Sequence, residues 1–112
     1  MEPGDLIWVD FGIPIGSAAG FKRPAVIISS GLVLEAGPNV IVVTPLTSNI
    51  NRSLRHEVPL DPELLEKPSA AQCHLSTAIS TLQILETTNQ RISATELAKI
   101  RSIIGDLLDI GG

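Results

Sequence analysis

The clearest regular pattern in the sequence is a helix near its C-terminal end. Ser93 and Glu96 have the S-x-x-E spacing of a capping box, in which each side chain bonds the backbone of the other residue. The apolar residues that follow recur at helical spacing: Leu97, Ile100, Ile104, Leu107 and Leu108. Gly111 then supplies a stop signal. We expect an amphipathic helix whose apolar face lies on a sheet formed by the preceding chain.

The segments before this helix favour strands. Short runs rich in apolar and β-branched residues, bounded by turn formers, cover 4–11, 23–30, 39–46 and 56–60. Two or three more short strands are expected between Ala70 and Ile92. The strands are joined by a Gly-rich loop over 12–21, a connection with a possible helical turn over 31–38, a polar surface loop over 47–55 and an acidic turn or short helix over 61–69. Because strands and helices do not alternate, the pattern predicts an α+β domain with a small, strongly bent antiparallel sheet or β-barrel.

Length and composition set the broad class. A chain of 112 residues predicts one domain, 1–112, and 44% apolar with only 18% charged residues excludes disorder. The low charge leaves apolar surface that a homodimer could cover. One cysteine excludes an intrachain disulfide, and we see neither a secretory leader nor an apolar run long enough for a membrane span. The expected compartment is therefore the cytoplasm.

Charge is distributed unevenly along the chain. The net charge is −4, which argues against a wholly basic nucleic-acid coat. Between Lys22 and His56, however, the chain has four cationic residues and one acidic residue, Glu35, a net charge of 4 − 1 = +3. From Val58 onward it has four cationic and seven acidic residues, a net charge of 4 − 7 = −3. We therefore expect an anion site in the first half of the chain.

Several common catalytic patterns are missing from the sequence. It has no GK[ST] phosphate loop, no dinucleotide fingerprint and no GxSxG elbow. Cys73, His74 and His56 lack the spacing of a metal site, so no metal or other cofactor is expected. Cys73 stands in a small-residue apolar stretch, which favours a buried structural thiol over a nucleophile.

What remains is a group of cationic and hydrogen-bonding residues in loops and at strand ends. Its members are Ser17, Lys22, Arg23, Thr47, Ser48, Asn49, Arg52, Arg55 and His56. Guanidinium groups bind phosphate oxygens in pairs, and hydroxyls and amides donate further bonds, so the group suits a phosphodiester. The alternative is a solvated loop face in which a carboxylate neutralises Arg23.

Five segments in order give the chain a specific resemblance. At GDLIWVDF, GS, KRPAVIIS, PLTSN and HEVPL, and again in the helix SATELAKIRSIIGDLLDI, it resembles the MazF/PemK family of bacterial toxins. The resemblance implies an SH3-like barrel with a C-terminal helix and a homodimer. It also implies metal-free cleavage of single-stranded RNA at a short recognition sequence, without a cofactor, and inhibition by a cognate antitoxin.

The resemblance also implies roles for individual residues. Arg23 and Thr47 match the catalytic pair of the family, and because a guanidinium does not give up its proton in proteins, Arg23 is favoured as a charge stabiliser over a proton shuttle. Thr47 would bond the phosphate or the leaving oxygen. The remaining predicted site residues would bind the RNA substrate: Ser17, Lys22, Ser48, Asn49, Arg52, Arg55 and His56. Each has a structural alternative: an ion pair for Arg23, a strand-end cap for Thr47, and a packed histidine for His56, which could otherwise act as general base.

Three positions depart from the family pattern. Ala18 follows the GS pair where an acidic residue is usual, which leaves the general base unassigned. Leu75 and Thr77 stand where glutamine and arginine are expected, so altered sequence preference or weaker activity is predicted. His74 could stack on a base or be structural.

Two other functions remain open at this stage. One is a non-catalytic relative that binds RNA or an antitoxin, which the three departures would suit. The other is a toxin of CcdB type, with the same fold, that binds DNA gyrase. A C-terminal tryptophan would be its signature, whereas this sequence ends DIGG and its one tryptophan is Trp8.

Overall fold

The computed structural model of the protein describes residues 1–50 and 55–110. Within them the chain forms seven strands and two helices: β1 (Asp5–Asp10), β2 (Lys22–Ile27), α1 (Gly31–Glu35), β3 (Val40–Thr47), β4 (Glu57–Pro59), β5 (Ala70–Gln72), β6 (Thr77–Ser80), β7 (Ile84–Arg91) and α2 (Ala94–Leu107). Short 3₁₀ turns precede and follow β6. No described helix has both the length and the apolarity that a membrane crossing requires.

All strand pairs are antiparallel, in the order β4-β5-β3-β2-β1-β7. The long strand β3 divides its second edge between two partners. Its first half pairs with β6, and its last two residues, Leu46 and Thr47, pair with β5. The α+β prediction is confirmed, with one correction: the sheet is open, because among the described residues the end strands β4 and β7 do not pair with each other. Closure needs continuous pairing around the ring, which a three-residue β4 at one end of the sheet does not supply.

Each face of the sheet carries one buried apolar cluster. Successive residues of β1 point to opposite faces, so Leu6 enters one apolar cluster and Ile7 and Val9 enter the other. The first cluster lies under α2, which contributes the fully buried Ile100. This alternation places buried apolar residues on both faces of β1. It makes β1, β2 and β3 the rigid centre of the fold, from which the connecting loops project.

Helix α2 begins as the sequence predicts. The Ser93 hydroxyl accepts the Glu96 amide at 3.0 Å, and the Ser93 amide donates to the Glu96 carboxylate at 2.8 Å. Leu97 and Ile104 pack against the core as expected, joined by Ile103.

The end of α2 differs from the prediction. The helix ends at Leu107, and Asp109 adopts the left-handed conformation at φ 57°, which turns the chain away from the helix. Leu107 and Leu108 are consequently exposed, although their spacing predicts the apolar face. Gly111, the predicted stop, lies outside the described residues.

The intermediate segments agree with the sequence. The helical turn expected over 31–38 is α1, the acidic segment over 61–69 forms turns, and the stretch from Ala70 to Ile92 holds three strands, β5 to β7. Of the predicted polar loop over 47–55, Thr47 belongs to β3, and 48–50 are exposed.

Candidate active site

A surface groove of about 850 Å³ opens where β2 begins and β3 ends. In the β2–β3 pairing, Ala25 is opposite Pro45 and Ile27 is opposite Val43. Continuing this register by two residues brings Arg23 level with Thr47. Both side chains line the groove, together with Lys22 and Ser48. Two residues 24 positions apart in sequence are thus brought together by strand pairing alone.

Arg23 is held by a neutral partner. Its Nη1 donates to Oε1 of Gln72 at 2.9 Å, and Gln72 on β5 is only 5% exposed. Among the described residues no carboxylate lies within 4.0 Å of the Arg23 guanidinium. The predicted alternative, an ion pair to a carboxylate, is therefore absent from this part of the chain. The neutral side-chain amide orients the guanidinium without neutralising its charge. The guanidinium therefore stays cationic, and its other N–H groups can donate to an anion.

Thr47 forms the strand-end cap that the sequence offered as its structural alternative, and its hydroxyl also keeps a donor. Its Oγ1 accepts the backbone N–H of Asn49 at 3.1 Å, which makes it a cap at the end of β3. A hydroxyl that accepts one bond still has its own proton to donate. Within the described chain that proton has no acceptor, so Thr47 can donate to an oxygen bound beside Arg23.

Sequence reasoning missed several residues of the groove. Lys67 lines it from the acidic segment between β4 and β5, and Glu66 lies beside it. Counting the charged lining residues gives Lys22, Arg23 and Lys67 against Glu66, 3 − 1 = +2, in a chain of net charge −4. Only the fold brings Lys67 here, because its sequence neighbours are mostly acidic or proline. Trp8 and Phe21 also line the groove, whereas Gln72, which holds Arg23, is buried and is not one of its lining residues.

The other predicted site residues that the structure describes do not line this groove. Ser17 is exposed on the β1–β2 loop, and Asn49 and Arg55 are exposed on either side of the undescribed segment. Arg52 lies outside the described residues. His56 is half-buried before β4, where its carbonyl accepts the Cys73 amide at 3.0 Å.

The two histidines are neighbours. The rings of His56 and His74 have centroids 6.0 Å apart and planes tilted by 49°. His74 is exposed and lines a second depression of about 330 Å³. The three positions that depart from the family pattern, Ala18, Leu75 and Thr77, line that same depression. The departures therefore lie together, and none of them lines the groove of Arg23 and Thr47.

Cys73 is a structural thiol, as predicted. It is buried in the cluster under α2, and burial raises the pKa of the thiol to about 11, so it is protonated at neutral pH. In the described residues no group of three His, Cys, Asp or Glu side chains is arranged to hold a metal ion.

Comparisons with known proteins agree with this architecture. Residues 2–108 match the family described as PemK-like, MazF-like toxin of type II toxin-antitoxin system. Endoribonuclease MazF9 of Mycobacterium tuberculosis is 32% identical over 116 residues, covering 98% of each chain.

Solved structures share the fold at lower identity. MazF of Deinococcus radiodurans superimposes with a TM-score of 0.83 at 22% identity, covering 97% of this chain and 96% of that chain. An endoribonuclease in complex with its cognate antitoxin, from Mycobacterial species, gives a TM-score of 0.75 at 14% identity, covering 98% and 96%. The family match over nearly the whole length, with a relative above 30% identity, shows that the chain belongs to the PemK/MazF toxins of type II toxin–antitoxin systems.

Proposed function

We propose that the protein is an endoribonuclease that cleaves single-stranded RNA in the groove of Arg23 and Thr47. One observation carries the proposal: the Arg23 guanidinium is oriented by the neutral Gln72 and lies at the same groove as the Thr47 hydroxyl. The name of the Mycobacterium tuberculosis relative, an endoribonuclease, supports the same activity. In a groove of net positive charge inside an acidic protein, a polyanion is the favoured ligand.

The proposed reaction is transesterification. The ribose 2′ oxygen next to the scissile bond forms a bond to phosphorus while the bond from phosphorus to the 5′ oxygen breaks. The 2′ hydroxyl loses a proton to a base, and the leaving 5′ oxygen gains one. The products are a 2′,3′-cyclic phosphate and a 5′-hydroxyl end. RNA supplies the nucleophile itself, so DNA is not a substrate.

Each groove residue then has a role that follows from its chemistry. Arg23 stabilises the negative charge that develops on the non-bridging oxygens, since a guanidinium stays protonated in proteins. Thr47 donates its free proton to the phosphate or to the leaving oxygen. Lys22, Ser48 and Lys67 bind neighbouring phosphates. No metal is needed in this scheme, because the guanidinium supplies the charge. Ala18 has no group that can accept a proton, and the base is unassigned.

The remaining sequence predictions are retained as part of the proposal. Ser17, Asn49, Arg52, Arg55 and His56 would contact RNA beyond the groove, along the strand. The working unit would be a homodimer of the single domain 1–112 in the cytoplasm. A cognate antitoxin would inhibit it by placing an acidic segment on the same cations, because such a segment mimics the charge of RNA.

The test is cleavage of a long RNA with little structure and of the matching single-stranded DNA, both in EDTA, with the ends of all fragments mapped. Discrete cuts in RNA only, with 5′-hydroxyl ends, are expected, and Arg23→Ala should abolish them. RNA left intact by folded protein, over several unrelated transcripts, would contradict the proposal. Binding without cuts would then support the non-catalytic alternative, and no binding would favour a protein target such as gyrase.

A further inference from the structure

Aromatic side chains are concentrated in the groove. The sequence has one tryptophan, two phenylalanines and no tyrosine. Trp8 and Phe21 both line the groove and are 37% and 65% exposed, whereas Phe11 packs on the apolar cluster of Ile7 and Val9. A small domain ordinarily uses its few aromatics to fill the core. Here two of the three are placed beside Arg23 and are open to solvent.

The backbone fixes Phe21 in an unfavourable conformation. Its φ is 62°, in the left-handed region, which is a genuine outlier for a bulky residue. The Phe21 amide donates to the Gly12 carbonyl, and the Phe21 carbonyl accepts the Phe11 amide at 2.9 Å. These two bonds close the loop over 12–21 at its base. Glycine would occupy the position without strain, so the phenyl ring is retained at a cost to the backbone.

The two rings border the place where the proposed reaction occurs. Phe21 stands two residues before Arg23 on the same strand end, and Trp8 on β1 pairs with Pro24, the residue after Arg23. Among the described residues the one ring–ring contact joins His56 and His74, so Trp8 and Phe21 do not stack on each other. Each ring is therefore available to a planar ligand. Beside the cations of the groove, the planar ligand that also carries phosphate is a nucleotide.

We propose that Phe21 and Trp8 form a base-stacking platform that holds a nucleobase next to the phosphate bound by Arg23. This inference rests on the proposed ribonuclease function and adds a recognition element to it. Stacking uses a π face that every base has, so the platform contributes affinity and position along the strand, while hydrogen bonds elsewhere select the sequence.

Trp8 is the one tryptophan in the chain, so its fluorescence reports directly on this groove. The probe is a nine-nucleotide RNA centred on a mapped cut, with a 2′-deoxyribose at the scissile position to prevent cleavage. Two further RNA strands each carry one abasic site, the first on the 5′ side of that position and the second on the 3′ side. The intact strand and one abasic strand should quench Trp8, whereas the strand that lacks the stacked base should bind about tenfold more weakly and leave Trp8 unquenched.

Variants of Phe21 separate stacking from folding. Phe21→Gly removes the ring and relieves the positive φ, so it should unfold at or above the wild-type temperature while binding the intact strand about tenfold more weakly. Its affinity for the abasic strand identified above should not change. Phe21→Tyr, which keeps an aromatic face, should bind like wild type, and Phe21→Leu should bind like Phe21→Gly. Leu82→Ala, at an apolar side chain that is more exposed than Phe21 and lines neither depression, should match wild type in every assay.

The outcomes separate the platform from the activity. If wild type cleaves RNA and Phe21→Gly binds all three strands within twofold of wild type, the platform is wrong and the ribonuclease stands. If Phe21→Gly loses its fold, the comparison of Phe21→Tyr with Phe21→Leu decides, and equal binding by the two rejects stacking. If folded wild type neither binds nor cleaves any RNA, the proposed function itself fails.

Discussion

Two arginines of this protein are held in opposite ways. Arg91, at the end of β7, donates from Nε to the Asp5 carboxylate at 2.8 Å, and this bond raises the pKa of Arg91. Arg23, at the start of β2, donates to the amide oxygen of Gln72 at 2.9 Å. The first pair neutralises a charge at an exposed sheet edge. The second orients a charge and leaves it for a ligand.

The comparison extends to the polar groups around each arginine. Immediately after Arg91, Ser93 and Glu96 satisfy each other at the start of α2. Beside Arg23, the Thr47 hydroxyl keeps a proton that no atom of the described chain accepts. A structural region satisfies its donors internally, because unmet polar groups lower stability. A binding region leaves donors for its ligand, and this difference supports the groove as the proposed RNA site.

Arg23→Ala tests the comparison with the largest expected effect. Removing a preorganised donor from a developing oxyanion lowers catalytic rates by about 10²–10³-fold, so cleavage of a mapped RNA should fall by at least that factor. The matched control is Arg91→Ala, which removes an arginine of the same size from the neutralised pair and should cleave within about twofold of wild type. Initial rates under excess enzyme measure both, with circular dichroism to verify the fold.

Equal losses in Arg23→Ala and Arg91→Ala would contradict the assignment, because they would mean that overall charge matters and position does not. Arg23→Lys refines the result. A lysine keeps the charge but not the planar fork of donors, and it should recover only a small part of the rate.

Gln72→Glu gives Arg23 a charged partner of the kind that Arg91 has. It places a carboxylate where the amide now meets Arg23, so it should reproduce around Arg23 the pairing that Asp5 gives Arg91. We expect cleavage to fall by about tenfold to 100-fold, since a charged partner competes with the phosphate for the guanidinium. Rates and RNA affinity should fall together. Unchanged cleavage in a folded Gln72→Glu variant would show that a neutral partner is not what the groove requires.

Asp5→Asn is the reciprocal change and serves as its control. It makes the partner of Arg91 neutral, as the partner of Arg23 is in the native protein. Cleavage should stay within about twofold of wild type, because Arg91 and Asp5 do not line the groove. A gain in RNA binding by Asp5→Asn would instead place a second anion site at that edge.

Thr47→Val tests the reserved donor with a smaller expected effect. Valine keeps the shape of threonine and removes the hydroxyl, and a bond to a charged group contributes about 1.5–3 kcal/mol, so cleavage should fall by about tenfold or more. Thr47→Ser keeps the hydroxyl and should retain most of the rate. If valine and serine at this position give the same rate, Thr47 is only the cap of Asn49 at the end of β3.

The sequence predicted some of the residues at the groove and missed others. The family resemblance at KRPAVIIS and PLTSN singled out Arg23 and Thr47, and the β2–β3 register, continued by two residues, brings them level. Gln72 and Lys67 could not be found in this way. Gln72 has no local signal, since its role depends on the packing of β5 beside β3, and Lys67 is surrounded in sequence by acidic residues and prolines. Residues that act through long-range contacts leave no pattern in the linear sequence.

The fold also has parts that the sequence predicted and parts that it did not. Periodicity and capping chemistry are local, so β1, β2, β3 and the start of α2 agree with prediction. Closure of the sheet depends on which distant strands meet, and of the two predicted forms, a barrel or a bent sheet, the described residues form a sheet that is not closed. The end of α2 was missed for a local reason: the turn at Asp109 uses an aspartate in the left-handed conformation, which is less common there than glycine.

Ser93→Ala has the smallest expected effect and tests the structural side of the comparison. The Ser93 hydroxyl satisfies the Glu96 amide at the start of α2, and loss of such a cap lowers the free energy of unfolding by about 1 kcal/mol. Urea unfolding followed by circular dichroism measures the change, and Ser102→Ala, on the exposed surface of the same helix, is the control at under about 0.5 kcal/mol. Cleavage by Ser93→Ala should equal that of wild type well below the unfolding midpoint, since this region satisfies its own donors and contributes none to the groove. A fall in cleavage without a fall in stability would mean that the two regions are coupled through the core under α2, and the separation argued from Arg23 and Arg91 would no longer hold.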